Sequence, residues 1–206
     1  MKTALQRIPE VIRLNDLIIT ISRQNGSGGR AVGKIIAQML GVKCYDQEII
    51  AKTAELAGVS MSDVKKSTGV PEKADISGAL PSTDPMFQVQ SQAIRDIASL
   101  GSCVLVGRCA DYVLRGRPNV VNVFIHAPIG KRVENSKQRN GFSDKIAYDT
   151  VTGKDRKRAE YYHHYTGRDW GSLSNYHLTI NTGLIEPEDA AKLIVDYVSM
   201  RDPKNI

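Results

Sequence analysis

The stretch that decides the fold is LIITISRQNGSGGRAVGKIIAQML, residues 17–40. Residues 17–21 form a near-continuous apolar run, the pattern of a strand buried on both faces of a parallel sheet. Glycines follow. Val32, Ile35, Ile36, Met39 and Leu40 then fall on one face of a helix that Gly41 ends. Strand, glycine turn and helix in this order can cradle phosphate, because N–H groups at a helix N-terminus point at the anion and the helix dipole favours it. The loop departs from the usual phosphate-binding pattern in one respect. That pattern ends in Gly-Lys-Ser/Thr, whereas this chain offers Gly28, Gly29 and Arg30.

Outward from this unit, strands and helices alternate. Residues 42–45, 103–106, 120–126 and 177–180 read as further strands, and 47–57, 86–100, 129–140 and 143–165 as helices. A last helix starts at Pro187 and carries Ala190, Leu193, Ile194, Tyr197 and Val198 on one face. Residues 1–16 read as a polar lead-in helix packed on the outside, and 58–85, rich in Gly, Pro, Ser, Thr and Lys, as a loop or insertion. The alternation predicts an α/β fold, a five-stranded parallel sheet wrapped by helices, with ligands at the carboxyl ends of the strands. The 206 residues suit one domain with a lid. No apolar run is long enough to span a bilayer and the start lacks a secretory apolar core, so a cytoplasmic protein without a membrane partner is expected.

The net charge is +6, and residues 131–169 hold ten Lys or Arg against six Asp or Glu. Such a patch calls for a polyanion or a solvated face. Helix-turn-helix, zinc-finger and aromatic RNA-binding signatures are absent, so a nucleotide polyphosphate is the expected partner and nucleic acid is not. Cys44, Cys103 and Cys109 lack metal-ligand spacing and read as reduced, mostly buried thiols. The adjacent His163 and His164 belong to no ligand cluster, and zinc is not expected.

The glycine loop admits two readings. Gly26-Ser27-Gly28-Gly29-Arg30-Ala31 fits the dinucleotide pattern G-x-G-x-x-G/A, and Asp46 lies about 20 residues on, where a ribose-binding acid belongs. Against the kinase pattern G-x-x-x-x-G-K-[ST], the stretch from Arg23 to Arg30 keeps only Gly28, with Gly26-Ser27 before it. Local pattern favours the dinucleotide. The segment from Asp144 to Arg168 favours the kinase, because Lys154, Arg156, Arg158 and Arg168 on or near one long helix suit a lid that neutralises a transferring phosphoryl group.

ITISRQNGSGGRAVGKIIAQMLG, YDQEII, CVLVGRCADYVL, VFIHAP, DRKRAEYYHHYTGRDWG and YHLTINT together resemble the cytidylate kinase-like family, a divergent branch of the P-loop nucleoside monophosphate kinases. The resemblance runs from about residue 18 to the last helix, and GSGGR is itself typical of this branch. It implies a P-loop three-layer fold with a five-stranded parallel sheet: a phosphate-binding unit at 17–46, a helical acceptor-binding insertion at 47–100 and a basic lid at 141–170. The implied activity is phosphoryl transfer from ATP, with Mg²⁺, to a nucleoside monophosphate, CMP first.

On this reading Gly26, Ser27, Gly28 and Gly29 turn backbone N–H groups toward the donor phosphates, and Arg23 and Arg30 supply the charge the lysine would have given. Arg139 stacks on the donor base. Arg108, after Gly107 at the end of a strand, contacts the acceptor phosphate, with Asp46, Asp111 and Arg168 as further acceptor contacts. In the true cytidylate kinases an acid follows that arginine; here Cys109 does, and Asp111 is the nearest acid. Arg156 and Arg158, with Arg30 and Arg108, form the catalytic set, and Asp155 holds a lid arginine in place. No direct metal ligand is assigned. Asp46 reads equally as a helix N-cap, Lys34 as a surface residue, and Tyr161, Tyr162 and Trp170 as packing. The competing functions are a kinase of another small acceptor on the same fold, a nucleotide-binding protein without efficient catalysis and, third, an NAD-binding oxidoreductase.

Overall fold

The computed structural model describes residues 16–67 and 84–201. The lead-in at 1–15 and residues 68–83 of the expected insertion lie outside them. Five strands, β1 (Ile18–Arg23), β2 (Lys43–Tyr45), β3 (Cys103–Val106), β4 (Val120–His126) and β5 (Leu178–Asn181), form one parallel sheet in the order β2-β3-β1-β4-β5. The first strand is therefore central, flanked on both sides. Its alternate residues serve opposite faces. Ile19 is in register with Val104 and Val121, and Ile21 with Val106 and Val123; this face packs on Val32 and Ile36 of α1 (Gly29–Leu40) and on Ala190, Ile194 and Val198 of α8 (Pro187–Met200). Ile18, Leu105 and Val120 point the other way. They meet Ile49 of α2 (Gln47–Ala57), Ile94 and Ile97 of α4 (Pro85–Ala98), and Ala110 of α5 (Ala110–Val113). Burial on both faces explains the uninterrupted apolar reading of β1. At about 1.5–3 kcal/mol for each fully buried aliphatic side chain, it is the main force holding the three layers together.

The expected loop at 58–85 contains a helix, α3 (Met61–Ser67). The Ser60 hydroxyl accepts from the Asp63 N–H and donates to its carboxylate, a local cap among Ser, Thr and Lys that composition alone does not reveal. Asp84 caps α4 in the same way, accepting from Met86 and Phe87. Two long basic helices, α6 (Ile129–Asn140) and α7 (Asp144–Thr166), follow β4 and lie over the carboxyl end of the sheet beside the glycine loop. Among the described residues no helix is long and apolar enough to cross a membrane.

Candidate functional site

The glycine loop leaves the carboxyl end of β1 and enters α1 at Gly29. Gly26 lies at φ 81°, and a Cβ there would sit 2.5 Å from the Arg132 carbonyl oxygen; a Cβ on Gly29 would sit 2.6 Å from the Arg23 Cβ. Close approach, of the Arg132 backbone at Gly26 and of the Arg23 side chain at Gly29, thus demands glycine at these positions. The loop is pinned from below. The Ser27 hydroxyl donates to the carbonyls of Gln24 (2.9 Å) and Ile125 (3.2 Å), and the Thr182 hydroxyl donates to the Ser27 carbonyl (2.7 Å). From above, the Asn135 amide donates to the Gly26 carbonyl (2.8 Å). The N–H groups of Gly26, Gly28, Gly29 and Arg30 meet no acceptor among the described residues. They form a set of donors at a helix N-terminus, suited to an anion.

The helix α7 is fastened to this loop by Asp155. Its carboxylate accepts from the Asn25 N–H (2.7 Å), from the Arg158 guanidinium (3.1 Å) and from the Arg132 guanidinium (2.5 Å). Arg132, on α6 and almost fully buried, also donates to the carbonyls of Ala127 (2.9 Å) and Asn25 (3.3 Å). Arg158 reaches the Arg23 carbonyl (3.2 Å). Loop, α6 and α7 therefore share one charged junction. Burial raises the Asp155 carboxyl above its ordinary value, with the Asn25 N–H, Arg158 and Arg132 opposing.

The ends of β2 and β3 complete the site. Asp46 follows β2, and its side chain does not cap α2, as one reading had it. Instead it bridges Arg30 (2.5 Å) and Arg23 (3.4 Å), and Glu48 takes the Asp46 N–H. After β3 the chain passes through three successive left-handed residues, Gly107 (φ 81°), Arg108 (φ 63°) and Cys109 (φ 56°). For the two non-glycine residues this costs about 1–2 kcal/mol each, a strain that marks functional sites. The Arg23 guanidinium crosses so near that a Cβ at Gly107 would overlap it. Burial, followed by the neighbouring Arg158, pulls Arg23 down to about 9, with Asp46 opposing, so it remains a cation at neutral pH. Burial also lowers Arg108 and Arg158.

Two cavities join here. One of about 620 Å³ lies between Arg23, Asp46, Arg108 and the α7 side chains Lys154, Lys157, Arg158 and Tyr161, with Cys109, Tyr162 and Trp170 in its wall. The other, of about 320 Å³, lies over the glycine loop under Arg139, Lys154 and Arg158. Arg23, Arg30, Lys154 and Arg158 border both. Among the described residues, eight Lys or Arg side chains line them against one carboxylate, Asp46. Volumes of this order hold nucleotide-sized ligands, and the charge imbalance requires an anionic one.

Of the residues singled out from sequence, Arg23, Gly26, Gly28, Gly29, Arg30, Asp46, Arg108, Arg139 and Arg158 line these cavities. Ser27 supports the loop from beneath, its hydroxyl turned to carbonyls. Three others lie elsewhere. Arg156 points away, three-quarters exposed and near Glu160 (3.9 Å). Asp111 is buried and accepts from the Tyr162 hydroxyl (2.6 Å), outside the cavity lining. Arg168 stands over the Tyr112 ring at 5.5 Å, also outside it. Helix geometry explains which side chains of α7 face the cavity. Lys154, Arg158 and Tyr161 share a face at i, i+4, i+7, whereas Arg156 is turned by two residues; Lys157 sits at the edge of that face. Tyr161 and Tyr162, expected as packing, combine packing with a place in the wall, and Gln90 donates to the Tyr161 hydroxyl (2.8 Å). The Lys65 contribution from α3 had no signal in the sequence. The three thiols are free, and burial raises Cys44 to about 11, Cys103 to about 12 and Cys109 well above its ordinary value.

A Mg²⁺ site finds little here. Arg30 stands where a phosphate loop carries Ser or Thr, the Ser27 hydroxyl is committed to carbonyls, and Asp46 is shared by two arginines. No group of three His, Cys, Asp or Glu suited to a metal exists among the described residues. The cavity does not fit an ion held by protein ligands.

The model of the cytidylate kinase-like family matches residues 18–184. The chain is 27% identical over 188 residues, 91% of its length and 91% of the other, to a cytidylate kinase of Pyrococcus horikoshii. A crystal structure of an uncharacterized protein from Eubacterium ventriosum superposes with a TM-score of 0.74 at 26% identity, over 91% of this chain and all of that one. A shikimate kinase from Bacteroides thetaiotaomicron shares the fold at TM-score 0.56 and 13% identity, over 89% and 99% of the two chains.

Proposed function

From the premise that this chain belongs to the cytidylate kinase-like family, we propose that it transfers the γ-phosphoryl group of ATP to a nucleoside monophosphate, with CMP as the first acceptor to test. Family and fold support a phosphotransferase. The observation that carries the finer reading is the pair of joined cavities, lined by eight cations and one carboxylate, with four outward N–H groups at the mouth of α1.

In this reading the donor polyphosphate lies on the N–H groups of Gly26, Gly28, Gly29 and Arg30, with its base toward Arg139. Arg30, Arg23, Lys154 and Arg158 surround the γ-phosphoryl position, doing together what one loop lysine does elsewhere. Arginine holds a phosphate at two points and keeps its charge in a buried site. The acceptor phosphate meets Arg108 in the larger cavity, and Lys157, Tyr161 and Trp170 bound the rest of it. Transfer then needs no covalent intermediate; it needs two anions held in line and charge that accumulates on the transferring group to be neutralised in a dry site. Any Mg²⁺ would come with ATP as part of the substrate and would supply charge neutralisation there; no side chain of this chain is assigned to hold it. Arg30 engages Asp46 through Nε, which leaves its terminal N–H groups for phosphate.

A coupled assay of turnover with ATP against CMP, UMP, dCMP, AMP and GMP tests the proposal. Saturable turnover with at least one of them is expected. No turnover with any, alongside tight ATP binding, overturns the monophosphate kinase and leaves another small acceptor on the same fold. Binding of NAD(H) and not of ATP would return the dinucleotide reading.

A further inference from the structure

The amino end of the sheet carries a second basic hollow. It measures about 410 Å³ and lies where β4 and β5 begin, walled by residues 114–118, by the segment after α7 and by the end of α8. Strand β4 spans roughly 20 Å from this end to the glycine loop, so the hollow is remote from the cavities above. Arg115, Arg117, Arg168, Arg201 and His177 line it, and no carboxylate does among the described residues.

Several of these side chains are held in place. Arg201 donates to the carbonyls of Val120 (3.2 Å) and Pro118 (3.0 Å), leaving the rest of its five N–H donors for a ligand. Arg115 donates to the Tyr112 carbonyl (2.9 Å) and lies 3.9 Å over the Tyr112 ring, which Arg168 approaches at 5.5 Å. His177 accepts the Asn122 N–H at Nδ1 (2.8 Å), which fixes Nε2 as the protonated nitrogen and hence a further donor. Asp111 faces Arg168 from the buried side, but no carboxylate among the described residues lines the hollow itself, so its wall is net positive and favours an anion. Leu114, Pro118, Val120 and Tyr176 supply an apolar wall beside the donors. Cationic donors beside an apolar edge, in a volume of this order, suit a small anionic ligand.

We propose that this hollow is a second anion site, for a phosphorylated small molecule up to the size of a nucleoside diphosphate. It is separate from the phosphoryl-transfer cavity and does not rest on the identity of the acceptor. Its place beside Arg168 gives it a path to the first site. Arg168 directly follows Gly167, the cap of α7, and Arg158 lies about 15 Å back along the same helix. An anion here therefore grips one end of the helix whose middle is fastened to the glycine loop.

Calorimetric titration of the full chain with pyrophosphate tests this. Two equivalents are expected to bind to the unaltered chain and one to Arg117→Gln/Arg168→Gln, with the remaining affinity unchanged. Arg117→Gln alone, at an exposed position, should weaken the second equivalent by on the order of tenfold to a hundredfold without lowering the melting temperature. Arg158→Ala is the converse control, weakening the other equivalent. Repeating the titration with CDP identifies the source of the phosphate: tighter binding than pyrophosphate indicates a nucleotide, weaker an inorganic anion, and either supports the site. One equivalent on the unaltered chain, or two that survive in the double variant, overturns it, as does binding of an RNA oligonucleotide with none of pyrophosphate.

Discussion

Removing the carboxylate of Asp155 should both destabilise the fold and loosen the hold of α7 on the glycine loop. Asp155→Ala deletes three contacts at once: the Asn25 N–H at 2.7 Å, Arg158 at 3.1 Å and Arg132 at 2.5 Å. The Asp155 side chain is 14% exposed and that of Arg132 10%, so the guanidinium left behind has little water to turn to. Breaking a buried ion pair from one side costs about 3–5 kcal/mol, chiefly through the stranded charge. Arg132 keeps its two carbonyl acceptors and Asp155 sits near the surface, so the lower end applies, about 3 kcal/mol. That is a large share of a typical stability of about 5–15 kcal/mol, and for a chain of this size it lowers the melting temperature by about 6–12 °C. Asp155→Asn keeps an acceptor for the Asn25 N–H but loses the charge, and should fall between the two. Urea unfolding followed by far-ultraviolet circular dichroism measures the change, with an unaltered slope showing that the two end states stay the same. A loss under about 1 kcal/mol for Asp155→Ala would refute the junction of loop, α6 and α7 as described.

Two further outcomes follow from the geometry. Gly26→Ala adds a Cβ 2.5 Å from a backbone oxygen at φ 81° and should cost at least about 3 kcal/mol, whereas Gly28→Ala, with nothing nearer than 3.8 Å, should cost only the left-handed strain of about 1–2 kcal/mol; equal losses in chemical unfolding would contradict the close approach. Burial holds the Asp111 carboxyl above its ordinary 3.8, the Tyr162 hydrogen bond opposing, so the folded chain binds that proton more tightly than the unfolded one. Its contribution is full below pH 3.8 and is lost as pH rises through the folded value. The stability of Asp111→Asn minus that of the unaltered chain should therefore rise as pH is raised from about 3.8, and a difference that stays constant or falls would show that Asp111 is not raised.

The sequence was most readable where one force acts alone. The buried strand β1, the glycines and the apolar stripe of α1 each carry a periodic signal, and the alternation of elements predicts a parallel sheet. Strand order was beyond it, because β2 and β3 read alike as short apolar runs and only packing places β3 next to β1. The helix α3 was missed because its cap lies in residues that also suit a loop. In the site, residue type was legible and direction was not. The run Lys154-Asp155-Arg156-Lys157-Arg158 reads as uniformly basic, yet a turn of 100° per residue puts Arg158 in the cavity and Arg156 in water. Asp46 reads equally as a cap and as an acceptor contact, and only the arrival of Arg23 from β1 and Arg30 from α1 shows it as their ion-pair partner. Asp111, near in sequence to Arg108, is carried inward by the short helix α5 and turned to Tyr162.

The most direct test of the arginine-lined phosphate site is a paired comparison of Arg158→Ala and Arg156→Ala, two residues apart on one helix. ATP affinity and kcat/KM with the preferred acceptor are measured for both, with melting temperatures as a check on folding. Arg158→Ala should lower kcat/KM about 100-fold or more, as loss of a charge facing the transition state does, and Arg156→Ala should stay within about twofold of the unaltered chain. Equal effects of the two, or a larger one from Arg156, would contradict the account.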